Sequence, residues 1–537
     1  MTDKLELLIL PNNVDSSIVL WETRSSLIAR GRRDAASLRA RGFTPELLVE
    51  VVYGEEPDYI QLEYARAQYE RGRSYYRGEG VAKDYVQAAF WYRKSAGKGY
   101  FGAQCMLGLL YSNGQGVAQD YAQAALWHRR AANQGFVSSQ FCLGSLYYYG
   151  RGVTQDYLEA AIWYSKAADQ GDASAQFALG LLYAHGKGVP QDSVQAAIWY
   201  RRAADQGVAD AENNLGSLYK NGEGVAQDYA QAAIWYRKAA DQGDPRAQFN
   251  LGVLFHFGEG VPQDYAQAAI WYRKAADQVH DSAQFNLGAV YRDGEGNSRD
   301  YAQAAGWFRK AAEQGFAEAQ DSLGTLYKRG QGVEQDDAQA ALWFRKAADQ
   351  GNTIAQCKLG FAYYVGRGVA QDYTQAAIWF RKAADKDDVE AQFVLGIMYE
   401  FGYGVKLDYA QAAIWYRKAA NQGHADAQHD LGLLYHLGRG VTQDYSEAAG
   451  WYRKAAKHGH VRAQGNLGML YIIGQGVPKS NIESYFWLRL ATASAKTTDQ
   501  TLWTSNRDKK AEKLTQHEKS EVQRRLNQWL AAHSQGR

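Results

Sequence analysis

Histidines gather near the carboxyl-terminal end of this 537-residue sequence and are the first candidates for metal or acid–base chemistry. They are His424, His429, His436, His458 and His460. A seven-residue spacing places His429 and His436 on one face of a helix, where both could be neighbours of His460. A metal site needs converging ligands and outer partners that orient them. The spacing does not supply these, and exposed histidines are the alternative, so the sequence predicts neither a metal nor a cofactor.

The motifs that usually mark a catalytic or nucleotide site are missing. The sequence contains no P-loop, no HExxH, no GxSxG and no CxxC. Its recurrent GxG pairs fit turns rather than a phosphate cradle. Recurrent carboxylates such as Asp264 stand where helices would begin, and helix capping explains them. The sequence therefore predicts that the protein is not an enzyme.

Asparagines recur at one position that is suited to peptide binding. Asn214, Asn250 and Asn286 follow one another at 36-residue intervals, and Asn466 stands in register with them. An Asn amide both donates and accepts, so it can pair with a peptide backbone whatever side chains that peptide carries. The alternative is that recently duplicated units simply carry copies of the same residue.

Cationic and aromatic side chains occupy neighbouring positions of the same repeat. The cations, which Asp293 would face, are Lys220, Arg292, Lys328 and Arg329. They could hold the carboxylate of a peptide, or they form a solvated face. The aromatic positions are Tyr148, Tyr149, His256, Phe257, Tyr364 and Phe401. Exposed rings are typical binding anchors, and the alternative is that they fill gaps between helices.

These positions recur because the chain itself is repetitive. Tryptophans follow one another every 36 residues from Trp91 to Trp487, which defines twelve repeats within residues 64–495. In the unit from Asp244 to Val279, Ala247, Leu251 and Leu254 share one face of a first helix. A second helix would begin near Asp264. The tryptophans lie in its apolar stripe, which indicates a core position rather than a stacking platform for sugars or bases.

Glycines mark the close contacts and turns of each unit. Gly252 lies inside the first helix at a propensity cost of about 1 kcal/mol, which predicts a contact with the second helix too close for a Cβ atom. Gly258 and Gly260 suit the end of the first helix. A further glycine usually closes the unit, and its replacement by Val279 and Asp387 predicts altered turns there.

A single helical hairpin cannot bury its own apolar face, whereas stacked hairpins can. The sequence therefore predicts an all-α, superhelical solenoid of twelve 36-residue helix-turn-helix repeats. The unit resembles the Sel-1-like repeat, a relative of the tetratricopeptide repeat. The likeness rests on an AxxxLGxxY run (Phe255 replaces the Tyr in this unit), a GxGV turn and an AAxWYxxAA run. Arg71 departs from the usual Leu in the first unit.

This resemblance implies a concave groove lined by the variable positions of the first helices. It also implies a protein-interaction adaptor that holds an extended peptide or a helix of a partner protein, in signalling or complex assembly. Two alternatives stay open: a hydrolase acting on cell-wall or peptide substrates, and a self-assembling scaffold. The chain is otherwise expected to be a monomer or to self-associate weakly.

The flanks do not repeat and are predicted to be caps. Residues 1–63 would form a helical cap with Trp21 packed on the first repeat and with Arg-rich outer faces; the arginines are Arg30, Arg32, Arg33, Arg39 and Arg41. Residues 496–537 would form a linker and a capping helix over Asp508–His533 that contains Trp529. Bacterial members of the family often end in such a segment.

Charge and cysteine content bear on the partners and the compartment. A net charge of +2 gives no electrostatic reason to expect nucleic acid or an anionic membrane as partner. Three cysteines, Cys105, Cys142 and Cys357, do not make a disulfide framework. The apolar run Leu5–Leu10 has no basic leader, and no run of about 18 apolar residues occurs. A cytoplasmic location is expected.

Overall fold

A computed structural model of the chain describes residues 5–8, 20–23, 58–296, 298–494 and 500–533. Strands β1 (Leu5–Leu8) and β2 (Leu20–Thr23) pair in antiparallel fashion, with Leu5 opposite Thr23. The helix predicted around Trp21 is therefore wrong, since that residue belongs to β2. Trp and Thr favour strands, in keeping with the observed conformation. The predicted Arg-rich faces lie outside the described residues.

The described residues form 26 helices in two compact units, Met1–Trp271 and Tyr272–Arg537. The helices of repeats 1–6 are α1 (Asp58–Arg77), α2 (Tyr85–Gly97), α3 (Phe101–Asn113), α4 (Tyr121–Asn133), α5 (Val137–Tyr149), α6 (Tyr157–Asp169), α7 (Ala173–His185), α8 (Ser193–Asp205), α9 (Ala209–Asn221), α10 (Tyr229–Asp241), α11 (Pro245–Phe257) and α12 (Tyr265–Asp277).

The second half of the chain continues the same pattern and adds two terminal helices. These helices are α13 (Asp281–Asp293), α14 (Tyr301–Glu313), α15 (Ala317–Arg329), α16 (Asp337–Asp349), α17 (Thr353–Val365), α18 (Tyr373–Ala384), α19 (Val389–Phe401), α20 (Tyr409–Asn421), α21 (Ala425–Leu437), α22 (Tyr445–Lys457), α23 (Val461–Ile473), α24 (Asn481–Ser494), α25 (Gln500–Ala511) and α26 (Gln516–His533). Odd-numbered helices up to α23 are the first helices of their repeats.

Helix ends follow the residues that the sequence analysis singled out. Asp156 precedes α6, and its Oδ1 accepts hydrogen bonds from the backbone N–H groups of Leu158 and Glu159 at 2.9 and 3.0 Å. Helix α5 ends at Gly150, whose φ of +66° is left-handed and therefore suits glycine. Both predicted boundaries are confirmed.

Close contact between the two helices of a repeat explains the glycine inside each first helix. A Cβ atom on Gly144 would lie 2.7 Å from Cδ1 of Tyr164, which belongs to the second helix of the same repeat. The tryptophans of the second helices are largely buried, as at Trp163 and Trp235. The predicted close approach and the core role of these tryptophans are both confirmed.

Neighbouring repeats are also joined by buried polar groups. The Gln140 amide nitrogen donates to the carbonyl oxygen of Ala132 in the preceding repeat at 3.3 Å. Its Oε1 accepts from the Gln170 amide at 2.8 Å. Arg93 of α2 donates to the Tyr111 hydroxyl of α3 at 2.9 Å. Because a buried amide must be satisfied, the bond from Gln140 to Ala132 favours one register between these two repeats.

The closing turns at Val279 and Asp387 keep the shape of the glycine turns, contrary to the prediction that they are altered. Val279 has φ +66° and Asp387 has φ +64°. The Val279 N–H donates to the Ala276 carbonyl at 3.0 Å, and the Gly315 N–H makes the equivalent bond to Ala312 at 3.1 Å. Stacking on both sides therefore imposes the turn, and the valine adopts a backbone conformation unfavourable for a β-branched residue.

Val279→Gly is expected to raise the free energy of unfolding by about 1 kcal/mol. Relief of the left-handed strain exceeds the entropy cost of a new glycine, and the exposed Val279 side chain gives up little packing. Urea unfolding followed by circular dichroism measures the change. Gly315→Val is the reverse control, because a Cβ there meets nothing within 4 Å, and it should lose a similar amount. A destabilised Val279→Gly protein would contradict the interpretation.

The carboxyl-terminal segment consists of two helices rather than the single run predicted over Asp508–His533. The helix is interrupted between α25 and α26, where Thr515 and Glu518 form a capping box. The Thr515 N–H donates to Glu518 Oε2 at 2.8 Å, and the Glu518 N–H donates to Thr515 Oγ1 at 3.3 Å. Trp503 fills the space beside Gly465, and Arg525 pairs with Glu483 at 2.7 Å. The segment thus packs against the last repeat.

Candidate partner-binding surface

The asparagines singled out in the sequence already have partners within the chain. The Asn250 amide donates to Oδ1 of Asn213, in the preceding repeat, at 3.0 Å. Asn214 hydrogen-bonds the Tyr200 hydroxyl, which opposes the burial that raises the pKa of that phenol to about 12. Asn286 lies beside Tyr272 of the preceding repeat and likewise opposes the burial that raises the pKa of that phenol. Each amide therefore already interacts with the neighbouring repeat.

The hydrogen bond between the first helices of neighbouring repeats recurs with other pairs of residue types. Asn250 bonds Asn213, and at the equivalent positions Lys358 bonds both oxygens of Asp321 at 2.8 Å. A third bond joins Asn466 to Nε2 of His429 at 3.3 Å. Asn213, Asp321 and Lys358 were not predicted from the sequence, although the two repeat positions that pair in this way are adjacent in every repeat. These positions link first helices in addition to any contact with a guest.

The predicted cations differ in how available they are. Nε and Nη2 of Arg292 donate to the two oxygens of Asp293 at 2.8 and 2.7 Å. That pair holds the pKa of the Asp293 carboxyl below its usual range. Lys220 is half-buried on α9, whereas Lys328 and Arg329 at the end of α15 are exposed. Only these last two keep the open presentation that the sequence analysis expected of the four.

The predicted aromatic positions divide into packed and exposed rings. Tyr148, His256 and Tyr364 pack on the first residue of the following helix; for example, the ring centroids of Tyr148 and Tyr157 are 5.2 Å apart. These three fill gaps between helices, which was the alternative interpretation. The other predicted rings stand at the last position of a first helix and are exposed, by 61% at Tyr149, 64% at Phe257 and 57% at Phe401. These rings can contact a partner.

In residues 272–537 the residues equivalent to Phe401 form an apolar row across four consecutive repeats. Val365, Phe401, Leu437 and Ile473 all stand at the last position of a first helix and are all exposed. Phe401 was predicted from the sequence and the other three were not, although all four are spaced 36 residues apart. Repeated exposed apolar side chains usually mark an interaction surface.

Two of the carboxyl-terminal histidines, His429 and His460, are neighbours, as the spacing allowed. The rings of His429 and His460 stack at 4.6 Å, and burial lowers the pKa of His460. Asp430 lies 2.7 Å from Nδ1 of His429, and Asn466 lies against its Nε2. His436 packs on Tyr445 instead. The described contacts of His429 thus place no nucleophile against its ring, and the described residues hold no group of three that could bind a metal ion.

A series of stacked helical hairpins whose first helices carry variable side chains defines an α-solenoid repeat protein. The Sel1 repeat matches at residues 65–100, 102–136, 137–172, 173–208, 209–244, 245–280, 281–316, 317–352, 353–388, 389–424, 425–460 and 461–495. The chain therefore belongs to the Sel1 repeat family, as its repeat pattern predicted. Solenoids of this family generally bind other proteins.

A solved structure agrees with this assignment. A protective antigen of uropathogenic Escherichia coli with an SLR fold is 38% identical, with a TM-score of 0.70 over 82% of this chain and 94% of its own. A Sel1 repeat protein from Oxalobacter formigenes is 36% identical, with a TM-score of 0.48 over 57% and 89%. No curated protein matches the chain. Within the described residues, no helix has the length and apolar character needed to cross a bilayer.

Proposed function

We propose that this chain is a non-enzymatic adaptor that holds an extended segment of a partner protein along its first helices. The apolar row of Val365, Phe401, Leu437 and Ile473 supports this proposal most directly. Its side chains are exposed at one position of successive repeats. Neighbouring helices lie about 8–10 Å apart, so an extended chain at about 3.3 Å per residue would pass one repeat every three residues.

A second row of exposed apolar residues lies on the second helices and provides a matched comparison. Ile378 and Ile414 are 43% and 48% exposed, close to the 57% and 44% of Phe401 and Leu437. At this position the second helices carry Ile, Leu, Phe or Gly, whereas the last position of the first helices also carries polar and charged residues such as His185, Asn221 and Asp293. Variation at a structurally equivalent exposed position is what recognition of a particular partner requires.

The double variant Phe401→Ser/Leu437→Ser is expected to retain at least about tenfold less of its partner proteins than the unaltered chain, because buried apolar anchors dominate such interfaces. Affinity capture with quantitative mass spectrometry measures the loss. Ile378→Ser/Ile414→Ser removes similar surface from the second helices and should bind normally. Equal loss in both variants, or capture of no protein by the unaltered chain, would contradict the proposal. Circular dichroism checks that both variants stay helical.

A further inference from the structure

A small cavity opens between repeats 8 and 9, at the carboxyl-terminal end of their first helices. Its volume is about 270 Å³. Apolar walls come from Phe344 of α16 and from Phe361 and Val365 of α17, and Lys328, Asp337 and Arg367 supply the charged groups. Pockets for drug-sized ligands are usually about 300–1,000 Å³. This cavity, called the Asp337 pocket below, therefore has the size for one side chain rather than for a cofactor.

The pocket exists because one residue departs from the repeat pattern. Nine of the twelve repeats carry Tyr at the position of Asp337. In repeat 9 that residue is Tyr373, whose ring packs against Tyr364 with 5.3 Å between centroids. In repeat 8 the equivalents are Asp337 and Lys328, which cannot make this contact. The space that a tyrosine ring fills in most repeats is left open here.

The charged groups of the pocket are incompletely paired. Oδ1 of Asp337 is buried and accepts no hydrogen bond from the described residues. Arg367 Nε is 3.8 Å from the other Asp337 oxygen, which is too long for a hydrogen bond. Lys358 also lines the cavity, but its ammonium group is bound to Asp321 and Thr325. Asp337 Oδ1 is therefore a buried acceptor without a donor in the described part of the chain, and two exposed cations, Lys328 and Arg367, line the same cavity.

We propose that the Asp337 pocket binds a tyrosine side chain of the partner segment, with an Asp or Glu next to it in the partner sequence. The guest ring takes the place of the missing intramolecular ring between Phe344, Phe361 and Val365. Its hydroxyl donates to Asp337 Oδ1, and the neighbouring carboxylate meets Lys328 and Arg367. The inference rests on the adaptor function and names the partner's chemistry, since Val365 belongs both to the pocket and to the apolar row.

Selection from a random peptide library displayed on phage, with the full chain as bait, tests this proposal. The expected result is enrichment of Tyr flanked by Asp or Glu. A synthetic peptide of the enriched sequence should bind at least about tenfold more weakly when its Tyr is replaced by Ala, as measured by fluorescence polarisation. Enrichment without Tyr, or with Lys and Arg beside it, would overturn the proposal.

Asp337→Tyr provides a loss-of-binding variant that should still fold. It restores the residue that nine repeats carry and fills the cavity, so circular dichroism and thermal unfolding should match the unaltered chain while the peptide binds at least about tenfold more weakly. Asp337→Asn keeps the shape and removes the charge, so a smaller loss is expected. Full binding by Asp337→Tyr would overturn the pocket assignment. If the peptide no longer binds the Phe401→Ser/Leu437→Ser variant but still binds Asp337→Tyr, the adaptor function is supported and the pocket assignment is rejected. A chain that selects no peptide would reject both.

Discussion

Replacing Gly152 by Ala is expected to cost more than about 4 kcal/mol of folding free energy, well above the usual effect of one added methyl group. Gly152 lies in the turn of repeat 3 with φ +70°, directly against the second helix of repeat 2. An added Cβ would be 2.1 Å from the carbonyl carbon of Tyr121 and 2.2 Å from its oxygen. Because these are backbone atoms inside a helix, no side-chain rotation relieves the overlap, and the repeats must separate.

Gly80 provides a control that isolates the contact between repeats from the cost of the turn itself. It occupies the same place in repeat 1 with φ +73°, but a Cβ there meets no described atom within 4 Å. Gly80→Ala should therefore lose about 1–2 kcal/mol, from the left-handed backbone alone.

Urea unfolding followed by far-ultraviolet circular dichroism compares the two variants. Since a solenoid is held together by interfaces between neighbours, Gly152→Ala should also broaden the transition and lower its denaturant slope. Equal losses in the two variants would show that the turn conformation, rather than the contact with the preceding repeat, requires the glycine.

The same glycines show why the fold was predictable from the sequence. Gly144 recurs at its position in every repeat because one close contact between the two helices of the repeat recurs, and the sequence predicted that contact. The repeat position of Gly152 was predicted only as a helix end and turn, and its contact with the preceding repeat was not predicted. Val279 shows the limit of this argument. Its departure from glycine was visible, but the sequence could not tell whether the turn or the residue would yield, because that depends on the packing on both sides.

The candidate binding surface was less predictable because it depends on side chains that do not repeat. Asn250 was assigned to a guest peptide, yet Asn213 of the preceding repeat is 3.0 Å away. The two residues are 37 positions apart in the sequence and come into contact only because the two first helices that carry them pack side by side. Asp337 was likewise not singled out from the sequence, because the capping carboxylate of that helix is its neighbour Asp336. Its significance lies in the ring that is missing there, and this emerges only when the neighbouring repeat shows what that ring would have contacted.

A second departure from the pattern predicts acid sensitivity in residues 1–271. His128 stands where most repeats carry Tyr or Phe. It is 1% exposed, and its Nε2 has no hydrogen-bond partner among the described residues. Burial lowers the pKa of this imidazole from 6.5 to about 4. Below about pH 6.5 the unfolded chain therefore binds a proton that the folded chain does not, and stability is lost as the pH falls towards 4.

Because of this difference in pKa, the free energy of unfolding should fall by about 2 kcal/mol between about pH 7 and pH 5, since each pKa unit is worth about 1.36 kcal/mol. His128→Phe should remove that part of the pH dependence, because Phe already occupies the equivalent position at Phe308 and Phe344. Urea unfolding of both proteins at the two pH values measures how much stability each loses on acidification. The contribution of His128 is the loss in the unaltered chain minus the loss in His128→Phe. Titration of carboxylates elsewhere in the chain cancels in that comparison.

Ser139→Ala separates burial from hydrogen bonding as the cause. Ser139 Oγ lies 3.4 Å from Nδ1 of His128 and is the polar atom that the structure places against this ring. If burial is responsible, the variant still keeps the imidazole neutral and retains the whole acid sensitivity. A pH dependence that disappears with Ser139→Ala would assign the effect to the hydroxyl. One that survives unchanged in His128→Phe would exclude this histidine, because a side chain that cannot take up a proton contributes nothing to proton linkage.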